Sequence, residues 1–238
     1  MSLAKQLSEH NLGRLVSQLE LKEKTKEGKA ILPLFAHGKE VGSMRVFEGD
    51  KISKLVTVSF GVDAIGLDSH MIFAFTKKGS AVPHFTLDSV MAGPHYAFHL
   101  DLIPKVDLGM NLSYLREVYA PLTEAHKEGK EIEGLEPAVL SPMQLAVMSP
   151  WMLANRANSA AFDNIGTVAS KYLDHWFNLL EKDLQPGSFD VTAESVDKRD
   201  SANRSMLFSK EIDPVWNQIE AFIGAETGAQ MREILKDL

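Results

Sequence analysis

Leu3, Leu7, Leu12, Leu15, Val16 and Leu19 recur close to a 3.6-residue period with mostly polar residues between them, so residues 3–22 are expected to form an amphipathic helix. The charged, glycine-containing stretch from Lys22 to Lys29 is its exit. From Ala30 to Lys105 the texture changes. Short apolar or alternating runs at 31–36, 41–47, 55–62, 71–76, 82–91 and 96–103 are separated by His37-Gly38-Lys39, Glu48-Gly49-Asp50, Gly66-Leu67-Asp68, Lys78-Gly79-Ser80 and Ala92-Gly93-Pro94. The connections are too short for crossover helices, which predicts an antiparallel meander of about six strands. The helical period returns over 112–126, 160–184, 193–208 and 214–236. Residues 144–152 read as a last strand, because Met148-Ser149-Pro150 is awkward inside a helix. The expected fold class is α+β, a three-layer α/β/α sandwich with a central antiparallel sheet, organised as one domain over residues 1–238. No internal repeat or low-complexity segment occurs, and the 128–142 loop is the nearest approach to a linker.

Alternation along 82–91 places Val82, His84, Thr86, Asp88 and Val90 on one face, with Phe85, Leu87 and Met91 on the other. In the next strand His95, His99 and Asp101 share a face opposite Tyr96, Phe98, Leu100 and Leu102. A tight turn at Ala92-Gly93 would set Asp88 against Ala97, Thr86 against His99 and His84 against Asp101. One hairpin face then carries His, Asp and Thr but no Lys, Arg or Glu, whereas solvated strand faces usually carry Lys, Glu and Thr. Two readings stand. The face is the solvated side of the sheet, or flanking helices enclose it as a pocket in which burial readies a carboxyl as a proton donor. A similar anomaly lies on 193–208, where Val196, Asp200, Asn203 and Leu207 fall on one stripe, so that a carboxylate and an amide interrupt apolar positions. The alternative there is surface pairing of Asp200 with Lys198, Arg199 or Arg204.

Composition removes several function classes. With no Cys among 238 residues, a Cys nucleophile, thiolate zinc, a Cys-ligated iron–sulfur cluster and thioether attachment of haem or bilin are excluded. A formal charge of -7, without a dense basic run, argues against nucleic-acid binding. No apolar run approaches the ~18 residues of a membrane span, and the first 21 residues lack the apolar core of a signal peptide, so no membrane insertion and a cytoplasmic location are expected. The sequons at Asn111 and Asn203 are then chance matches. The run Gly61 to Gly66 lacks the Gly-Lys-Ser/Thr of a phosphate loop, and no G-x-G-x-x-G, H-E-x-x-H or G-x-S-x-G occurs. Neither a bound nucleotide cofactor nor a metal is therefore expected.

The run Ala81-Val-Pro-His-Phe-Thr-Leu-Asp88-Ser-Val, followed by Phe98-His-Leu-Asp101-Leu-Ile-Pro104, resembles the paired strands of the ferredoxin-dependent bilin reductases and red chlorophyll catabolite reductase. In that family a Pro-x-(Phe/Leu) strand carries an acid inward, and the next strand ends in Asp-Leu-x-Pro. Asp88 falls at the acidic position. His70 falls at the active-site His of the phycocyanobilin enzyme if one residue is inserted in the following turn. Lys198-Arg199-Asp200, ahead of Phe208 and Pro214-Val-Trp216, resembles the region that supplies a second acid. The likeness is specific over about 25 residues around Asp88. The phycocyanobilin enzyme's vinyl-directed Glu would fall near Thr57 to Ser59, where no acid stands.

The resemblance implies an α/β/α fold without a bound cofactor or metal. A reduced ferredoxin or flavodoxin is the implied external electron donor, and a linear tetrapyrrole (bilin or chlorophyll catabolite) the implied substrate. It makes Asp88, His70 and Asp200 the expected catalytic residues, with His84, Thr86, His99, Arg199, Asn203 and Arg204 as substrate-binding candidates. Lys77, Lys78, Lys198 and Lys210 join the two arginines as candidates for a donor-docking patch. The alternative is a tetrapyrrole carrier of the same fold that has lost the chemistry.

Overall fold

The computed structural model describes residues 1–237. Its centre is an antiparallel sheet of nine strands: β1 (Lys22–Lys24), β2 (Leu32–Ala36), β3 (Lys39–Glu48), β4 (Lys54–Val62), β5 (Leu67–Phe75), β6 (His84–Ala92), β7 (His95–Ile103), β8 (Leu135–Pro137) and β9 (Leu153–Ala157). The order is β1-β3-β4-β5-β6-β7-β9-β8, with β2 also paired to β3. The six strands of the meander stand where alternation places them. The three additional strands are short, two of only three residues, which leave almost no periodicity to read; β1 and β8 are the edges and β9 lies between β7 and β8.

The helices are α1 (Leu3–Gln18), α2 (Leu112–Tyr114), α3 (Thr123–Glu131), α4 (Pro142–Val147), α5 (Ser159–Asp163), α6 (Ile165–Lys182), α7 (Ala193–Leu207), α8 (Val215–Ile223) and α9 (Ala225–Lys236). One face of the sheet, with Ile72, Phe85, Leu87 and Leu100, packs on α1 and α6 in a core around the fully buried Trp176. The indole of Trp176 donates to the Pro83 carbonyl at 2.8 Å. The other face, with Met44, Val56, Val58, Met71 and Phe75, packs on Phe208, Trp216, Ile219 and Met231 of the C-terminal helices. Both faces are thus covered, and the three-layer α+β expectation holds.

Three local expectations need correction. Residues 144–152 are not a strand. Ser141 and Gln144 form a reciprocal capping box, and Pro142 occupies a first-turn position where its missing N–H costs nothing, so α4 forms and β9 starts only at Leu153. The C-terminal helical stretch is two helices, divided at Gly224 with φ +92°. The hairpin between β6 and β7 turns at Gly93-Pro94, with Gly93 at φ +59°, so Asp88 opposes His99, Thr86 opposes Asp101 and His84 opposes Ile103. That register differs by two residues from the expected one, which leaves every side chain on its expected face.

Candidate functional site

The polar face of β6 and β7 forms part of the wall of a cavity of about 290 Å³, at the lower end of small-molecule sites. Met71, Phe73 and Phe75 of β5 continue that wall, and Arg204, Leu207, Phe208, Asp213 and Trp216 face them from the C-terminal helices. The segment 138–148 closes one side with Ala138, Leu140, Gln144 and Met148. The hairpin face therefore lines a half-open cavity, with Asp88 and His99 partly buried in its wall.

Within this largely apolar lining, four polar atoms are buried with no hydrogen-bond partner among the described residues: Thr86 Oγ1, Asp88 Oδ1, His99 Nε2 and Arg204 NH1. Buried polar groups are almost always paired, and each orphan costs roughly 1–3 kcal/mol. Four around one cavity mark a wall built for a polar ligand. Asp88 Oδ2 lies 3.7 Å from His99 Nδ1. Burial pushes the His99 imidazole down, but Asp88, Asp101 and Asp213 outweigh it and hold its pKa above the ordinary value.

Asp213, in the turn before α8, completes the acidic set. Its Oδ1 accepts from Val215 N at 3.0 Å and from Gln144 Nε2 at 3.3 Å. Burial pushes its pKa up, and the Asp88 charge adds to the rise. Sequence reasoning missed it because Asp-Pro ahead of a helix reads as ordinary turn chemistry.

Asp200 does not line the cavity but stands buried behind its wall. It is 2% exposed, and its Oδ1 accepts from His84 Nε2 at 2.6 Å and Arg204 Nε at 3.2 Å. Burial raises its pKa, but His84, Lys105 and Arg204 together hold it well below the carboxylate range. His84 Nδ1 accepts from Thr76 N at 3.0 Å, which leaves the proton on Nε2 pointing at Asp200. Burial, with Lys105 and Arg204, keeps this ring's pKa low. The chain of contacts Thr76–His84–Asp200–Arg204 thus holds the guanidinium in the cavity wall.

His70 is corrected more sharply. It pairs with Ser89, whereas Met71 pairs with Asp88, so successive residues of β5 point to opposite faces and His70 lies on the α1 side of the sheet. No inserted residue shifts the register between β5 and β6. The His70 ring bonds Asp68 at 2.7 Å and Ser59 at 3.1 Å, and Asp68 in turn accepts from Ser2, the N-cap of α1. Its role in the fold is to seat α1.

Two other candidates also fall outside the cavity. Asn203 is buried and donates to the Pro104 carbonyl at 3.2 Å, tying α7 to the end of β7. Arg199 pairs with Asp107 at 2.8 Å and lines a separate hollow beside α2. His84, Thr86, Asp88, His99 and Arg204 are brought together around one space. Among the described residues no group of three His, Cys, Asp or Glu side chains could hold a metal, and no helix is long and apolar enough to cross a membrane.

No protein-family model matches this chain, and no curated protein matches it in sequence. Among solved structures it is similar to the phytochromobilin synthase of tomato, solved in complex with biliverdin, with a TM-score of 0.78. The alignment covers 98% of this chain and 82% of the tomato protein at 20% identity. The fold of that bilin-binding enzyme is thereby the fold of this chain.

Proposed function

We propose that this protein reduces a linear tetrapyrrole, a bilin or chlorophyll catabolite, by single-electron transfers from a reduced ferredoxin or flavodoxin coupled to side-chain protonation. The observation that carries the reading is the set of unpartnered polar atoms of Thr86, Asp88, His99 and Arg204 around one apolar cavity. The cavity lies in a fold shared with an enzyme solved with biliverdin. A conjugated tetrapyrrole is itself the electron acceptor, so the protein need supply only position and protons. Asp88 stands on the sheet and Asp213 on the helical side, giving two acids on different walls of the cavity. Arg204, held from behind by Asp200, offers a bare guanidinium edge to a propionate, and Arg156 lines the same space.

A donor of acidic surface needs a basic patch on a chain of net charge -7. The hydrogen bond from Gly79 N to Asp197 Oδ1, 2.7 Å, joins the β5–β6 connection to α7, which brings exposed Lys77 and Lys78 to the neighbourhood of exposed Lys198. Those three are the docking candidates. Lys210 is paired with Glu220 at 2.6 Å.

The carrier reading is favoured by one observation: Met71, which cannot exchange a proton, occupies the cross-strand position beside Asp88. Anaerobic addition of biliverdin and then a ferredoxin-reducing system separates the possibilities. A reductase changes the visible band on binding and again on reduction, a carrier only on binding. Absence of any spectral change with biliverdin, other bilins and chlorophyll catabolites would sink both readings.

A further inference from the structure

Asp88 and His99 are directly opposed across β6 and β7, and the imidazole Nδ1 stands 3.7 Å from the carboxylate Oδ2. On the other flank of Asp88, β5 presents only the thioether of Met71. The charged groups around the His99 ring come from four elements and one turn. Asp88 faces it from β6. Asp101 follows it on β7, fully buried, with both carboxylate oxygens bonded to Ser149. Asp213 approaches from the turn before α8, while Arg156 of β9 and Arg204 of α7 line the same cavity. Three carboxyl groups thus act on one imidazole, whose Nε2 has no partner among the described residues.

We propose that His99 is the proton-sharing partner of Asp88, so that the acid on the sheet is served from β7 and not from β5. The proposal rests on the reductase reading above. When the Asp88 carboxyl gives its proton to the one-electron-reduced tetrapyrrole, a new bond to hydrogen forms on the ligand and a carboxylate is left. The electron comes from the external iron–sulfur or flavin donor. The imidazolium of His99 then passes its Nδ1 proton to the Asp88 carboxylate, which restores the acid and leaves a neutral ring to be reprotonated from solvent. A separation of 3.7 Å is an ion-pair distance that a small rotation shortens to a hydrogen bond, as apo sites commonly require. An imidazolium donates from both nitrogens, so Nε2, unpartnered among the described residues, is left to an acceptor atom of the ligand. Asp88, Asp101 and Asp213 outweigh burial and hold the ring's pKa above the ordinary histidine value.

Two measurements on the full chain test this. In the ligand-free protein, NMR titration should find the His99 ring with a pKa above the ~6.5 of an ordinary histidine, and D88N should lower it. A pKa at or below the ordinary value, or one unmoved by D88N, overturns the pairing whether or not any bilin is a substrate. In turnover of biliverdin with reduced ferredoxin, H99Q, shown to be folded by its circular dichroism, should lower kcat by about tenfold or more while KM stays within about twofold. Wild-type activity should fall as pH rises through the His99 pKa, and that limb should disappear in H99Q. An H99Q enzyme with wild-type kcat and pH profile overturns the proposal. A wild-type protein that leaves every bilin unreduced fails the reductase reading instead, and the titration still decides the pairing.

Discussion

Asp200, buried, and Asp213, half-buried, are both acids of the C-terminal region, yet their surroundings drive them apart. Asp200 sits among His84, Lys105 and Arg204 and stays ionised, whereas Asp213 meets burial and a second carboxylate and is driven toward its protonated form. D200N should therefore cost stability. Removing the carboxylate charge leaves buried Arg204 and Lys105 uncompensated, for a loss of about 3–5 kcal/mol in denaturant unfolding. Because the folded pKa of Asp200 is depressed, its contribution is present above the unfolded value near ~3.9 and is lost as pH falls through the folded value. The gap between wild type and D200N should accordingly be widest near neutrality and shrink in acid. D213N should instead leave stability within about 1 kcal/mol and slow bilin reduction by roughly 10²-fold, read by single-turnover absorbance. Parity alone placed Thr86, Asp88 and His99 on one face, and two-residue slippage of the register could not disturb that. His70 was misread because its alignment required an odd shift, which exchanges the faces of a strand. Asp213 was invisible, since no periodicity applies to a turn residue whose neighbours come from α4 and the sheet.

Segment 138–148 shows how an element can be built from contacts that sequence does not reveal. Its ends are fixed by Ala138 N donating to Ala154 O at 2.9 Å and by Ser149 bonded to Asp101, and its middle by Gln144 reaching Asp213. S149A removes the hydroxyl donor from a fully buried carboxylate, which should cost about 1–3 kcal/mol and speed amide hydrogen exchange across residues 139–148. Unchanged exchange there would show that Asp101 does not hold the segment. Strand pairing has a comparable single point of control at Gly42. A Cβ at that position would stand 1.9 Å from the Ser59 carbonyl oxygen, a backbone atom. G42A should thus force β3 and β4 apart and lower stability by about 3 kcal/mol or more, visible as a reduced denaturant midpoint. The meander was legible because its strands are nine or ten residues long, apart from β2, and are joined by marked turns. Residues 144–152 were misassigned because Pro150 was weighed as a helix breaker while the Ser141 and Gln144 capping box upstream was overlooked.

At the scale of the whole molecule, one sheet separates two jobs. The face under α1 and α6 is a continuous apolar core around Trp176, and the face under α7 and α8 gives up part of its core to a cavity with ionisable walls. Layering was predictable from the order of helices and strands, since both faces of an apolar sheet must be covered. Which face holds the cavity was not, because that depends on where the C-terminal helices dock. The measurement that tests the central claim most directly is anaerobic single turnover of biliverdin by wild type and D88N at neutral pH, followed in the visible band. The account predicts that both proteins bind with the same spectral change, that reduced ferredoxin then bleaches or shifts the band in wild type, and that D88N is slower by about 10²-fold or more. Equal rates in the two proteins, or a wild type that neither binds nor reduces biliverdin or any other linear tetrapyrrole, would contradict it.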